Sequence, residues 1–123
     1  MQDTLERPNR LLSDHQKTEL LAFCQAVTGH KDILAPTIWI FGSAARGRTF
    51  PFSDVDVAVG SQSFELVPWA HRIRMLKDLC SAGSPISPIG VTMAEVARGE
   101  RAYPSVLRSL TEGRRKLASE LLS

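Results

Sequence analysis

Thr37-Ile38-Trp39-Ile40-Phe41-Gly42-Ser43-Ala44-Ala45-Arg46-Gly47, followed after five residues by Ser53-Asp54-Val55-Asp56-Val57-Ala58-Val59, is the stretch on which the fold turns. Residues 37–41 carry no charge and are rich in β-branched and aromatic side chains, which predicts a buried strand. The strand stops at Gly42-Ser43. A strand that ends at glycine and enters a short helical segment, here Ala44-Ala45-Arg46, leaves backbone N–H groups unpaired above the turn, a natural anion site. Gly42 lets the backbone approach a phosphate closely, the Ser43 hydroxyl adds a donor, and Gly47 can close the segment with a positive φ. Arg46 and Arg48 add positive charge.

The second strand begins after Pro51. Side-chain alternation sets Asp54, Asp56 and Ala58 on one face and Val55, Val57 and Val59 on the other. Residues two apart on a strand are roughly 6–7 Å apart, a separation at which two acids can share a hard cation. Magnesium on nucleotide phosphates suits that pair. An Asp-x-Asp pair alone is common on surface strands; here it follows a glycine–serine turn, and the valines opposite anchor the strand in a core.

Gly42-Ser43-Ala44-Ala45-Arg46-Gly47, five residues, then Ser53-Asp54-Val55-Asp56 resembles the signature of the DNA polymerase beta-like nucleotidyltransferase superfamily, and most resembles its minimal, single-domain members. The resemblance implies an α/β, more narrowly α+β, fold: a small mixed β-sheet flanked by helices. It also implies that Gly42, Ser43, Arg46, Gly47 and Ser53 bind a nucleoside triphosphate, ATP by preference, and that Asp54 and Asp56 are the catalytic acids that bind Mg2+. Metal ions in such a site neutralise phosphate charge and stabilise the leaving pyrophosphate, so the protein's contribution is placement.

The family's third carboxylate usually comes from a later strand, and the chain departs from the pattern there. The candidate strand, Ser84-Pro85-Ile86-Ser87-Pro88-Ile89-Gly90-Val91-Thr92, contains no acid. Ser87 or Gly90 stands where the acid would be. Its prolines predict an edge or partly irregular strand, because they donate no ladder hydrogen bond. Glu65, Asp78 and Glu95 are the acids nearby, and none replaces the missing ligand convincingly.

At 123 residues the chain reads as one domain, residues 1–123, with a helix-favouring tail over about 114–123. A formal charge of +2 calls for no nucleic-acid partner, and most of Arg46, Arg48, Arg72, Arg74, Arg114, Arg115 and Lys116, which could form local positive patches, read as solvated helix faces. Cys24 and Cys80, far apart and without a CxxC pattern, read as reduced core residues. No apolar stretch has membrane length and no apolar run follows a basic start, which predicts a cytoplasmic location.

A capping box at Ser13-Asp14-His15-Gln16 predicts a helix burying Leu20, Phe23, Cys24 and Val27 and stopping at Gly29. A second helix starts near Pro68, buries Trp69, Ile73, Leu76 and Leu79 or Cys80, and ends near Gly83. A third is capped by Thr92-Met93-Ala94-Glu95 and ends near Gly99, and a fourth opens at Pro104. Trp39 reads as core. Phe50 and Phe52 either flank a nucleotide base or cover the sheet edge.

Minimal members of the resembled family work as antitoxins that modify a tyrosine on a partner toxin of the higher eukaryote and prokaryote nucleotide-binding (HEPN) class. The resemblance therefore implies AMP transfer to a partner protein, and the short chain, the apolar stretch from Pro85 to Val91 and the leucine-bearing tail suit a homo- or hetero-oligomer. The missing acid keeps a second reading open, a degenerate module that binds nucleotide or sequesters a partner. Modification of a small molecule ranks third, since those enzymes generally carry an added substrate domain.

Overall fold

The capping box at Ser13 is present and opens helix α1 (Asp14–Thr28). The Gln16 N–H donates to Ser13 Oγ at 3.2 Å, and the Ser13 N–H donates to Gln16 Oε1 at 2.9 Å. Leu20, Phe23 and Val27 follow at helical spacing and are buried, with Cys24 packed beside them. The computed structural model describes residues 12–42, 50–98 and 116–118. The segments expected to form the turn after Gly42 and the helix at Pro104 lie largely outside them.

Among the described residues four strands form one mixed sheet in the order β3-β2-β1-β4. β1 (Thr37–Phe41) and β2 (Val55–Gly60) run antiparallel, with Phe41 opposite Asp56. β2 and β3 (Ile86–Val91) run parallel, with Asp56 opposite Ser87. The parallel pair requires a crossover, which a 3-10 turn (Gln62–Phe64) and helix α2 (Trp69–Lys77) supply.

Alternation then sorts the side chains. Val55, Val57, Val59, Ile40 and Ile86 point to one face and pack with Leu20, Phe23 and Val27 of α1, Phe64, and Leu76 of α2. Trp39, Phe41, Ala58 and Val91 point to the other, joined by Val96 of α3 (Met93–Arg98) and by the partly buried Trp69 and Ile89. Trp39 is core, as its apolar strand predicts. Its ring lies over Gly60, where a Cβ would stand 2.7 Å from Trp39 Cζ3.

Among the described residues β3 is an edge strand, as its prolines predict, and its outer side is occupied. Ile86, Pro88 and Gly90 share that side by the two-residue period. Lys77 Nζ donates to the Ile86 carbonyl at 2.9 Å, Arg72 Nη1 donates to the Gly90 carbonyl at 3.2 Å, and Pro88 has no N–H to offer. Strand addition on this edge is blocked.

Three expectations are corrected. α2 ends at Lys77, well before Gly83, because Leu79 and Cys80 donate to the carbonyls three residues back and tighten the last turn. Arg72 is not on a solvated face; it is 4% exposed. The composition of residues 114–123 predicts a helical tail, yet Lys116–Leu117 form β4, paired antiparallel with β1 at Trp39 and Ile40. Edge pairing outweighs local helix propensity there.

Cys24 and Cys80 are free thiols, both partly buried. Burial pushes the Cys24 thiol up to about 11, which suits an inert packing residue. No helix among the described residues is long and apolar enough to cross a membrane.

Candidate active site

The antiparallel register of β1 and β2 sets Phe41 opposite Asp56, so the residue after Phe41 arrives beside the Asp56 side chain. That residue is Gly42, with φ +70°. A Cβ at Gly42 would overlap Asp56 Oδ2 and stand 3.3 Å from Asp56 Cγ. Glycine is required twice, for the left-handed backbone and for the carboxylate that lies against it. The other residues of the predicted turn, Ser43, Arg46 and Gly47, lie outside the described residues.

The second strand, expected to begin after Pro51 and to include Asp54, begins at Val55; Asp54 immediately precedes it and is exposed, whereas Asp56 is half-buried. The Val55 N–H already donates to the Pro85 carbonyl at 2.8 Å, which fixes the chain directly after Asp54. Burial pushes the Asp56 carboxyl above its ordinary value, and the neighbouring Asp54 charge pushes the same way. The Asp54 charge is therefore felt at Asp56.

On the parallel side the register sets Ser87 beside Asp56, and Ser87 is exposed. Of the two residues expected at the missing-acid position, Gly90 is excluded: it faces away, where a Cβ would meet Arg72 and Phe64. Glu95 is committed elsewhere. Its carboxylate takes Arg72 Nη1 at 2.6 Å and Nη2 at 3.1 Å. It also accepts the Thr92 N–H at 2.8 Å.

The donor set fits a hard dication. The Asp54 charge stands close enough to raise the cost of ionising Asp56, and the ion pair among the described residues, Arg72 with Glu95, lies at the far end of β3. Magnesium is commonly held by one or two protein carboxylates and completes its shell with water and phosphate oxygens. Among the described residues no three His, Cys, Asp or Glu side chains converge, so the pair is what they offer.

Ser53, expected on the nucleotide, also closes the turn before Asp54. Its Oγ accepts the Phe50 N–H at 3.0 Å, and its own N–H donates to the Phe50 carbonyl at 3.0 Å. Phe52 beside it is 96% exposed and so does not cover the sheet edge. Beside this turn, one residue escaped the sequence reading. Gln16, with no exposed surface, donates its side-chain amide to the carbonyls of Phe50 and Ser53, both at 2.9 Å. The capping pattern reveals its acceptor half alone.

A family model described as a nucleotidyltransferase domain matches residues 31–116, which include both strands of the acid site and β3. A solved structure of a candidate nucleotidyltransferase from Sulfolobus solfataricus superposes with a TM-score of 0.60 at 19% identity, covering 85% of this chain and 82% of that one. At that identity the likeness shows the fold. No curated protein matches the sequence significantly.

Proposed function

The chain belongs to the nucleotidyltransferase domain family, and on that premise we propose that it is a magnesium-dependent enzyme that transfers AMP from ATP to a hydroxyl of a partner protein. The acceptor oxygen forms a bond to the α-phosphorus while the bond from that phosphorus to the oxygen bridging to the β-phosphate breaks. Pyrophosphate leaves, and the hydroxyl proton passes to a carboxylate or to solvent. Gly42, Ser43, Arg46, Gly47 and Ser53 bind the triphosphate, and Asp54 and Asp56 hold the magnesium. The ion supplies charge neutralisation on the phosphates and on the departing pyrophosphate.

The observation that carries this reading is the close approach of Gly42 and Asp56, where β1 ends beside β2. The acceptor follows from the resemblance to antitoxin-type members: a cytoplasmic HEPN-type toxin held in a hetero-complex. Calorimetric titration of ATP, GTP, CTP and UTP with magnesium, on the wild type and on Asp54→Asn and Asp56→Asn, tests it. Magnesium-dependent binding of one triphosphate, lost in both variants, is the expected result. No binding to the wild type overturns the transferase reading.

One observation favours a second reading. Ser87, not an acid, stands beside Asp56. A module that binds nucleotide without turnover would show the same titration and no transfer to any hydroxyl, whereas one that only sequesters a partner would bind no triphosphate.

A further inference from the structure

Asp54 is exposed, yet its backbone is held on both sides. On its C-terminal side the Val55 N–H is bonded to Pro85 of the β3 segment. On its N-terminal side the Ser53 carbonyl accepts Gln16 Nε2 at 2.9 Å, and the same nitrogen donates to the Phe50 carbonyl at 2.9 Å. Ser13 Oγ adds a longer bond to the Pro51 carbonyl at 3.3 Å. The carbonyls of Phe50, Pro51 and Ser53 are thus all held by the two capping residues of α1.

The side chain at the third helical position of a capping box ordinarily needs only one oxygen, to accept the N–H of the cap residue. Gln16 uses its oxygen that way and has two donors left over. Both point at carbonyls, which can only accept. Glutamate, the other common residue at this position, would cap the helix equally well and would turn a second carboxylate oxygen toward those two carbonyls. The choice of an amide, and its complete burial, follow from the turn and not from the helix.

We infer that Gln16 is a positioning residue: it ties the start of α1 to the 50–53 turn and so sets where Asp54 enters the acid pair. The functional part of this inference rests on the reading of Asp54 and Asp56 as a nucleotide site; the mechanical part does not. Gln16→Glu separates the two duties of the side chain, because it keeps the cap acceptor and removes both donors to the turn. Val27→Ala, in the buried stripe near the far end of α1, serves as a comparison that weakens the helix without touching the turn.

The test measures thermal stability, amide hydrogen exchange and magnesium–ATP affinity on the full chain for the wild type and both variants. In Gln16→Glu, exchange at the Ser53 amide should rise at least about tenfold over that of Val27→Ala at matched stability. Magnesium–ATP affinity should fall at least about tenfold by the same comparison. If Gln16→Glu merely tracks Val27→Ala in all three measurements, Gln16 is a structural anchor and the inference is overturned. Selective loosening of Ser53 with unchanged affinity overturns it as well, since Asp54 would then need no such hold. If the wild type binds no magnesium–ATP, the transferase reading fails by itself, and the exchange comparison alone decides whether Gln16 fixes the turn.

Discussion

The Asp56 carboxylate lies directly against the Cα of Gly42, in space that a β-carbon would fill. Gly42→Ala therefore acts in two ways. The left-handed backbone at φ +70° costs an L-residue about 1–2 kcal/mol. The new methyl group also drives the carboxylate aside, and a displacement of ~1 Å in such a site can cost on the order of a hundredfold in rate. A modest drop in urea midpoint together with near-complete loss of magnesium–ATP affinity is the expected pair of results. Affinity that survives the substitution would argue that Asp56 does not hold the ion.

Asp56 should pay for its function in stability. Its carboxyl is held above its ordinary value, first by burial and then by the Asp54 charge, so the folded chain binds that proton more tightly than the unfolded one. The resulting stability is present at low pH and is lost as pH rises through the raised value. Asp56→Asn removes the penalty. Its melting temperature without metal should exceed that of the wild type at about pH 7 and approach it at about pH 4. Titration of the same variant with magnesium–ATP should show no binding. A variant that melts lower at neutral pH would contradict the assignment of strain to that charge.

Ser87→Asp should convert the pair into a triad. Ser87 is opposite Asp56 across the parallel ladder, and neighbouring strands lie about 4.8 Å apart, within reach of one shared cation. A third like charge lowers stability in the absence of metal, and bound ion restores it by mass action. The magnesium concentration for half-maximal nucleotide binding should fall roughly tenfold, by about 1.4 kcal/mol of added ion affinity. Were turnover to appear only in this variant, the wild-type chain would be the non-catalytic module. An unchanged magnesium dependence would move the ion away from the β2–β3 side.

The elements that carry the acids were legible because each is written in short-range pattern. The uncharged run at 37–41, the alternation from 54 to 59 and the two capping boxes are read within a few residues. What escaped depends on partners far along the chain. Gln16 looks like a cap residue until the turn at Phe50 and Ser53 closes over it, 34 and 37 residues later. Arg72 looks like one more surface charge on a basic helix. It is buried because Glu95 meets it from 23 residues on. Lys116–Leu117 join the sheet through pairing with β1, which no local propensity reveals.

The pair of Arg72 and Glu95 fastens the far end of β3 to α2 and α3. Arg72 also donates to the Val67 carbonyl at 2.7 Å and to the Gly90 carbonyl at 3.2 Å, and its guanidinium stands 5.9 Å from the Phe64 ring centre and 5.7 Å from that of Trp69. Removing one partner of a buried pair costs about 3–5 kcal/mol, because the other charge stays buried without compensation. Glu95→Gln strands the 5%-exposed arginine side chain and should approach that range. Arg72→Met strands a carboxylate that retains some solvent and should cost less. Burial alone would raise the Glu95 carboxyl, but the Arg72 hydrogen bond, the Thr92 N–H and the Arg72 charge outweigh it and hold the group below its ordinary value. The stability it contributes is therefore present above the ordinary glutamate range and lost as pH falls through the lowered value. Urea midpoints of the wild type and Glu95→Gln should differ widely at about pH 7 and draw together toward about pH 3. A gap that stays constant over that range would mean the hydrogen-bond geometry, and not the charge, holds α3 in place.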